Sequence, residues 1–127
     1  MHRPFIYMAS SENAEQHSPE LLKGTIQTII LKLLTDNSRM YGYEITQRVK
    51  ELSEESIILT EGALYPTLHR LEAEGLLKTE TVTTGGRMRK YYSLTRQGKK
   101  VASSKLGEFV AFVRTMTQVL NIKADMK

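Results

Sequence analysis

"LTEGALYPTLHRLEAEGLL", residues 59–77, places Leu64, Leu68, Leu71 and Gly75 on one helical line, yet Pro66 stands inside it. If the helix begins at Pro66, the proline sits comfortably at the first helical position. The helix is then only about nine residues long and Leu64 leaves the apolar line. If it begins at Glu61 with Thr60 as its cap, Pro66 falls in the second turn and forfeits one backbone bond, to the carbonyl of Gly62. The longer helix is the better solution, because Gly62 and Pro66 both project away from the leucines, together with His69, Arg70 and Ala73, with Tyr65 at the edge. Water or a groove contact can satisfy the freed carbonyl on that face, at the expense of at most a mild kink.

Upstream, Ser18-Pro19 is a good helix start, and Leu22, Ile26, Ile29, Ile30 and Leu33 continue one helix to the turn-forming "TDNSR" at 35–39. A second helix is predicted from about Tyr41 to Ser53, with Tyr41, Ile45, Val49 and Leu52 on its apolar line and Gly42 allowing close packing. Downstream, Gly75 ends the third helix. The β-prone runs "LLKTETVTT" (76–84) and "RKYYSLT" (89–95) then flank "GGRM" (85–88) as a hairpin. Thr95 caps a long last helix, with Gly98 tolerated near its start, running to about Asn121. On it Val101, Leu106, Phe109, Phe112, Val113, Met116 and Leu120 share a stripe roughly 140° wide, opposite Lys100, Ser103, Ser104, Arg114 and Gln118.

The chain has 127 residues, enough for one ordinary domain with an appended helix. It has no cysteine, which removes disulfides and thiolate metal sites and fits a reducing cytoplasm. The longest apolar stretch, near Ile29 to Leu34, is broken by Lys32 and falls short of a membrane span. The start lacks a signal-peptide pattern, so a soluble, unexported protein without a membrane partner is expected. The net charge of +4 is segregated: residues 1–75 carry 7 basic and 11 acidic groups, 76–105 carry 8 and 1, and 106–127 carry 3 and 2. A concentrated basic segment beside an acidic body points to a directed anionic partner, with nucleic acid the leading candidate.

Helix two, a turn, helix three and a basic hairpin form the layout of a winged helix-turn-helix, whose third helix enters the major groove of double-stranded DNA. The fold class expected is mainly α (α+β), with a two-stranded wing and a long C-terminal helix. Four runs, "LLKGTIQTIILKLL" (21–34), "MYGYEITQRV" (40–49), "EGALYPTLHRLEAEGLL" (61–77) and "GGRMRKYYSLTRQGKK" (85–100), together resemble the PadR family of bacterial transcriptional regulators. The resemblance covers most of residues 21–100 and implies a homodimeric repressor with a single C-terminal dimerisation helix, the family's short form. The expected organisation is a flexible tail over 1–18, a DNA-binding domain over 19–94 and a dimerisation helix over 95–127.

On this reading Thr60, Glu61, Ala63, Tyr65, Pro66, His69 and Arg70 form the DNA-facing start and outer face of the third helix. Arg87, Arg89 and Lys90 supply phosphate or minor-groove contacts from the wing, against the bland alternative of a solvated loop tip. Met88 stands where many relatives carry proline. For Lys99, Lys100 and Lys105 ordinary helix surface and phosphate contact are equally open, and Lys78 and Arg96 are undecided in the same way. Of Tyr41, Tyr43, Tyr91 and Tyr92 most are expected in the core, with Tyr91 and Tyr92 on opposite faces of their strand. Phe109, Phe112, Val113 and Met116 admit three readings, intradomain core, dimer interface or the wall of a ligand cavity between subunits; the dimer interface, with Leu106 and Leu120, is favoured, since the stripe exceeds what a three-helix core can cover.

The resemblance implies a small-molecule effector pocket at that interface, where one exists. Some members line it with tryptophan; here there is none, and Phe109 is the nearest aromatic. No cofactor is expected, and a metal site from His2, His17 and His69 is disfavoured by the absence of ligand spacing. An enzyme is disfavoured too, for want of a catalytic triad, a phosphate-cradling glycine motif or clustered carboxylates. The competing function is a winged-helix module that binds protein without specific DNA recognition.

Overall fold

The computed structural model describes residues 16–122; the expected tail up to residue 15, His2 included, and residues 123–127 lie outside it. The elements in chain order are α1 (Pro19–Leu22), α2 (Ile26–Asp36), β1 (Met40–Tyr41), α3 (Gly42–Leu52), α4 (Glu61–Ala73), β2 (Leu77–Thr84), β3 (Arg87–Leu94) and α5 (Arg96–Val119). The expected single first helix is two. Ser18 caps α1, its Oγ accepting from the Leu21 N–H at 3.3 Å. Then the Thr25 N–H and hydroxyl both donate to the Leu22 carbonyl, at 2.8 and 2.9 Å, closing a tight turn next to Gly24. A glycine and a threonine bonding locally together outcompete the helix at that point.

Helix α4 runs through Pro66. Its start is the expected one, with Thr60 Oγ1 accepting from the Ala63 N–H at 3.2 Å. Leu64, Leu68 and Leu71 are fully buried, and Thr67 joins them with its hydroxyl donating to the Ala63 carbonyl at 3.0 Å. Gly75 lies just past the helix, in the left-handed region at φ +80°. There the Gly75 N–H reaches the Glu72 carbonyl and the Leu76 N–H the Leu71 carbonyl, each at 3.0 Å. This double bond pattern satisfies the last carbonyls and tucks Leu76 into the core.

The hairpin turn is only Gly85-Gly86, at φ +59° and +78°, between the paired residues Thr84 and Arg87. Two positive φ values mark the primed turn that matches strand twist. Arg87 and Met88 therefore belong to β3 and not to the connection. A third strand, β1, was not expected: Met40 pairs with Tyr92 and Tyr41 with Tyr91, giving the sheet order β1-β3-β2. Tyr92 is the one tyrosine of the four in the core. Burial, then the nearby Glu72 carboxylate, push its phenol pKa up, so it stays neutral. Tyr41 and Tyr91 are half-buried and Tyr43 is exposed, because β1 lays the first two across the sheet and the start of α3 turns the third outward. Leu52, expected on the apolar line of α3, is exposed in the last turn of that helix.

The first turns of α5 are part of the core. Thr95 Oγ1 accepts from the Gly98 N–H at 2.9 Å and donates to the Gly75 carbonyl at 2.7 Å, while the Thr95 N–H bonds the Leu76 carbonyl at 3.0 Å. Gly98 is buried at this junction, and a Cβ there would run into the Leu76 carbonyl group, its carbon at 3.0 Å. Gly107, farther along the same helix, faces open space. Glycine to alanine normally stabilises a helix interior by about 1 kcal/mol. Gly107→Ala is expected to do so, whereas Gly98→Ala should destabilise by about 1–3 kcal/mol through overpacking against backbone. Urea unfolding of both variants checks this pair; a stabilised Gly98→Ala would contradict the close approach.

Candidate nucleic-acid interface

Burying Leu64, Leu68 and Leu71 forces the opposite side of α4 outward, and Gly62, Pro66, His69, Arg70 and Ala73 are all exposed. Proline cannot donate the bond that would have ended on the Gly62 carbonyl, and that carbonyl belongs to the exposed row. At the start of the helix Glu61 is exposed, Ala63 is half-buried and the Thr60 hydroxyl is engaged in capping. Arg70 is exposed but tethered, its Nη2 donating to Gln27 Oε1 of α2 at 3.3 Å. Sequence periodicity gave no signal for Gln27, since the pairing spans 43 positions.

Tyr65 behaves differently from the others. Its ring lies against Gly42, where a Cβ would come within 2.7 Å of Cζ. Gly42 thus serves close packing as expected, and the particular neighbour it admits is the tyrosine of α4. The ring is half-buried, packed on the core edge, with its centroid 6.2 Å from that of His69.

Alternation along β3 separates the three basic wing residues. Arg87 and Arg89 share a face with Tyr91, whereas Lys90 shares the other with Tyr92. Arg87 is exposed beside the turn and has no ion-pair partner among the described residues. The Arg89 guanidinium lies over the Tyr41 ring, 4.6 Å from its centroid. Lys90 reaches back toward α4, with Nζ 3.9 Å from Glu72 Oε1 and 5.5 Å from the Tyr92 centroid. The structure therefore brings Arg87 and Arg89 together and sets Lys90 apart. Arg39, in the turn before β1, was not singled out from sequence. Its guanidinium sits 4.3 Å above Tyr91 and donates to Glu80 Oε1 at 2.9 Å. Lys78, Arg96, Lys99 and Lys100 are exposed, and Lys105 pairs with Glu108 at 3.8 Å.

Along α5 the apolar stripe divides. Leu106 and Phe109 are half-buried and line a groove of about 350 Å³ with Ile29 and Leu33 of α2, Val49 and Leu52 of α3, and Ile57. Beyond them Phe112, Val113 and Leu120 are 57%, 43% and 56% exposed, and Met116 is half-buried. The polar positions opposite, Lys100, Ser103, Ser104, Arg114 and Gln118, are exposed as expected. Among the described residues no helix is long and apolar enough to cross a membrane.

An outward helix face of donors and small residues beside a two-stranded ribbon with guanidinium groups is suited to phosphates and base edges. The sequence pattern of the transcriptional regulator PadR-like family matches residues 30–104, from α2 through α4 and the wing into α5. The chain belongs to the PadR-like family of transcriptional regulators. As such it is a DNA-binding regulator and not an enzyme. It is similar to transcriptional regulator Rv3488 of Mycobacterium tuberculosis, 40% identical over 80 residues that make up 63% of this chain and 71% of that one. Among solved structures, a transcriptional regulator from Clostridium thermocellum aligns with a TM-score of 0.72 at 29% identity, covering 80% of this chain and 96% of its own. A PadR family regulator from Clostridium difficile aligns at 0.66 with 36% identity, covering 76% and 99%. The winged helix-turn-helix, followed by the one long helix α5, is consistent with this family.

Proposed function

We propose that this PadR-like chain acts in the cytoplasm as a homodimeric repressor of a palindromic operator, reading bases with α4 and holding the backbone with its wing. The observation that carries this reading is the exposed row Gly62, Pro66, His69 and Arg70, opposite a fully buried leucine row and beside a ribbon that ends in Arg87. Thr60, Glu61 and Ala63 bring the start of α4 toward the groove, and Tyr65 offers only the edge left free by Gly42. Arg87 is the wing's free phosphate contact, Arg89 contributes from its seat on Tyr41, and Lys90 adds charge from the opposite face.

Dimerisation is supported by the exposed apolar run of α5. Phe112, Val113, Met116 and Leu120 of a second copy, together with Leu106 and Phe109, would cover one another about a two-fold axis. Two-fold symmetry sets half-site centres about 34–36 Å apart, or a multiple of that spacing. A small molecule lodged between the subunits, against Phe109, would alter the separation of the two α4 helices and so release the operator.

Arg87→Ala is expected to weaken binding to promoter and random duplex alike and to lower the log–log salt slope by about 0.9. An unchanged slope removes Arg87 from the backbone contacts, and equal affinity of the native chain for both duplexes at moderate salt contradicts a specific regulator. Val113→Asp, a charge in the apolar run, should shift the dimer to monomer in sedimentation; an unaltered sedimentation coefficient would contradict the interface.

A further inference from the structure

Two-stranded ribbons are marginally stable alone and twist easily, so the position of a wing tip depends on what grips its base. Here the grip comes from both faces. On one, Glu72 of α4 accepts from the Thr79 hydroxyl at 3.4 Å and pairs with Lys90 at 3.9 Å. On the other runs a stack of four side chains. Arg39 lies over Tyr91 at 4.3 Å, the Tyr91 and Tyr41 rings meet edge to face at 5.3 Å and 80°, and Arg89 lies over Tyr41 at 4.6 Å. Glu80, paired across the ribbon from Tyr91, holds the outer end of Arg39 at 2.9 Å.

The members come from separate parts of the fold. Arg39 stands in the turn before β1, Tyr41 is the residue on which α3 begins, and Tyr91, Arg89 and Glu80 belong to the ribbon. A guanidinium suits this place because its flat face stacks on the ring while its edge still pairs with a carboxylate; an ammonium does one or the other. With the Arg39 head engaged by Tyr91 and Glu80, its charge is directed into the stack.

We infer that Arg39 and Tyr91 are positioning residues for DNA binding: the Arg39, Tyr91, Tyr41, Arg89 stack, anchored by Glu80, ties the wing to the start of α3, fixing the pitch at which Arg87 meets the duplex. This rests on the DNA-binding reading above. The stack acts before DNA arrives, by limiting the ribbon's swing, and Arg39 makes no phosphate contact of its own.

Tyr91→Leu keeps every charge and an apolar, strand-compatible side chain while removing the seat of Arg39. Arg39→Gln removes the stacking cation from an exposed position and keeps a polar side chain of similar length. Each is expected to weaken promoter binding about two- to fivefold, the scale of an exposed cation–π contact, with the salt slope unchanged. In the free protein, ¹⁵N relaxation should show lower order parameters at the Gly85 and Gly86 amides than in the native chain. A slope lowered by about 0.9 in Arg39→Gln would make Arg39 a phosphate contact and overturn the inference. So would native affinity and native order parameters in both variants. If the native chain binds no duplex, the DNA reading fails by itself, while the wing-tip order parameters still decide whether the stack restrains the ribbon.

Discussion

The molecule depends on the junction where α4 ends, the wing starts and returns, and α5 begins. Within a few ångströms the Gly75 and Leu76 carbonyls receive the Thr95 hydroxyl and N–H, and the same hydroxyl caps α5 through Gly98. Only glycine at 98 lets α5 approach the Leu76 carbonyl this closely. Leu76, Leu77 and Leu94 are all buried around it. One knot thereby fixes the direction of α4, the base of the ribbon and the departure of α5.

That arrangement gives regulation a mechanical route. An element pinned to the end of α4 cannot tilt without disturbing the capping bonds of Thr95 or the seat of Gly98. In the proposed dimer, a change in how the two long helices meet would be passed to the two α4 helices as a change in spacing or angle. The wing is carried along, because Glu72 grips it from α4 on one face while Tyr41 and Arg39 grip it on the other. Affinity for the proposed palindromic operator would be sensitive to such a shift, since both half-sites must be met at once.

Much of this was legible in the sequence. Leucines at 64, 68 and 71 outweighed one proline, because three buried side chains contribute several kcal/mol and a single hydrogen bond lost to solvent about 1. Thr60, Thr95 and Gly75 act as the caps and stop that their chemistry suggests, and Gly85-Gly86 makes the turn. What escaped was set by tertiary contact. A two-residue strand such as β1 has no period to detect, and the break at Gly24 turns on one threonine bonding locally. The three basic residues of "RMRK", Arg87, Arg89 and Lys90, read as one patch until the pleat sends Lys90 to Glu72. Arg39 carried no local signal, since its partners lie about 40 and 50 residues away. In the sequence Tyr65 and Gly42 stand far apart with nothing to link them; the packing of α4 on α3 seats the tyrosine ring against the glycine.

In the proposed complex the exposed row of α4 and the wing tip meet DNA together. The most direct test of that joint contact is to titrate promoter duplex into ¹⁵N-labelled protein and follow the backbone amides. Concerted shifts are expected at Gly62, Tyr65, His69 and Arg70 and at Gly85 to Arg87, with Ser103, Ser104 and Gln118 of α5 unmoved. Shifts confined to α5, or to the wing without α4, would contradict it.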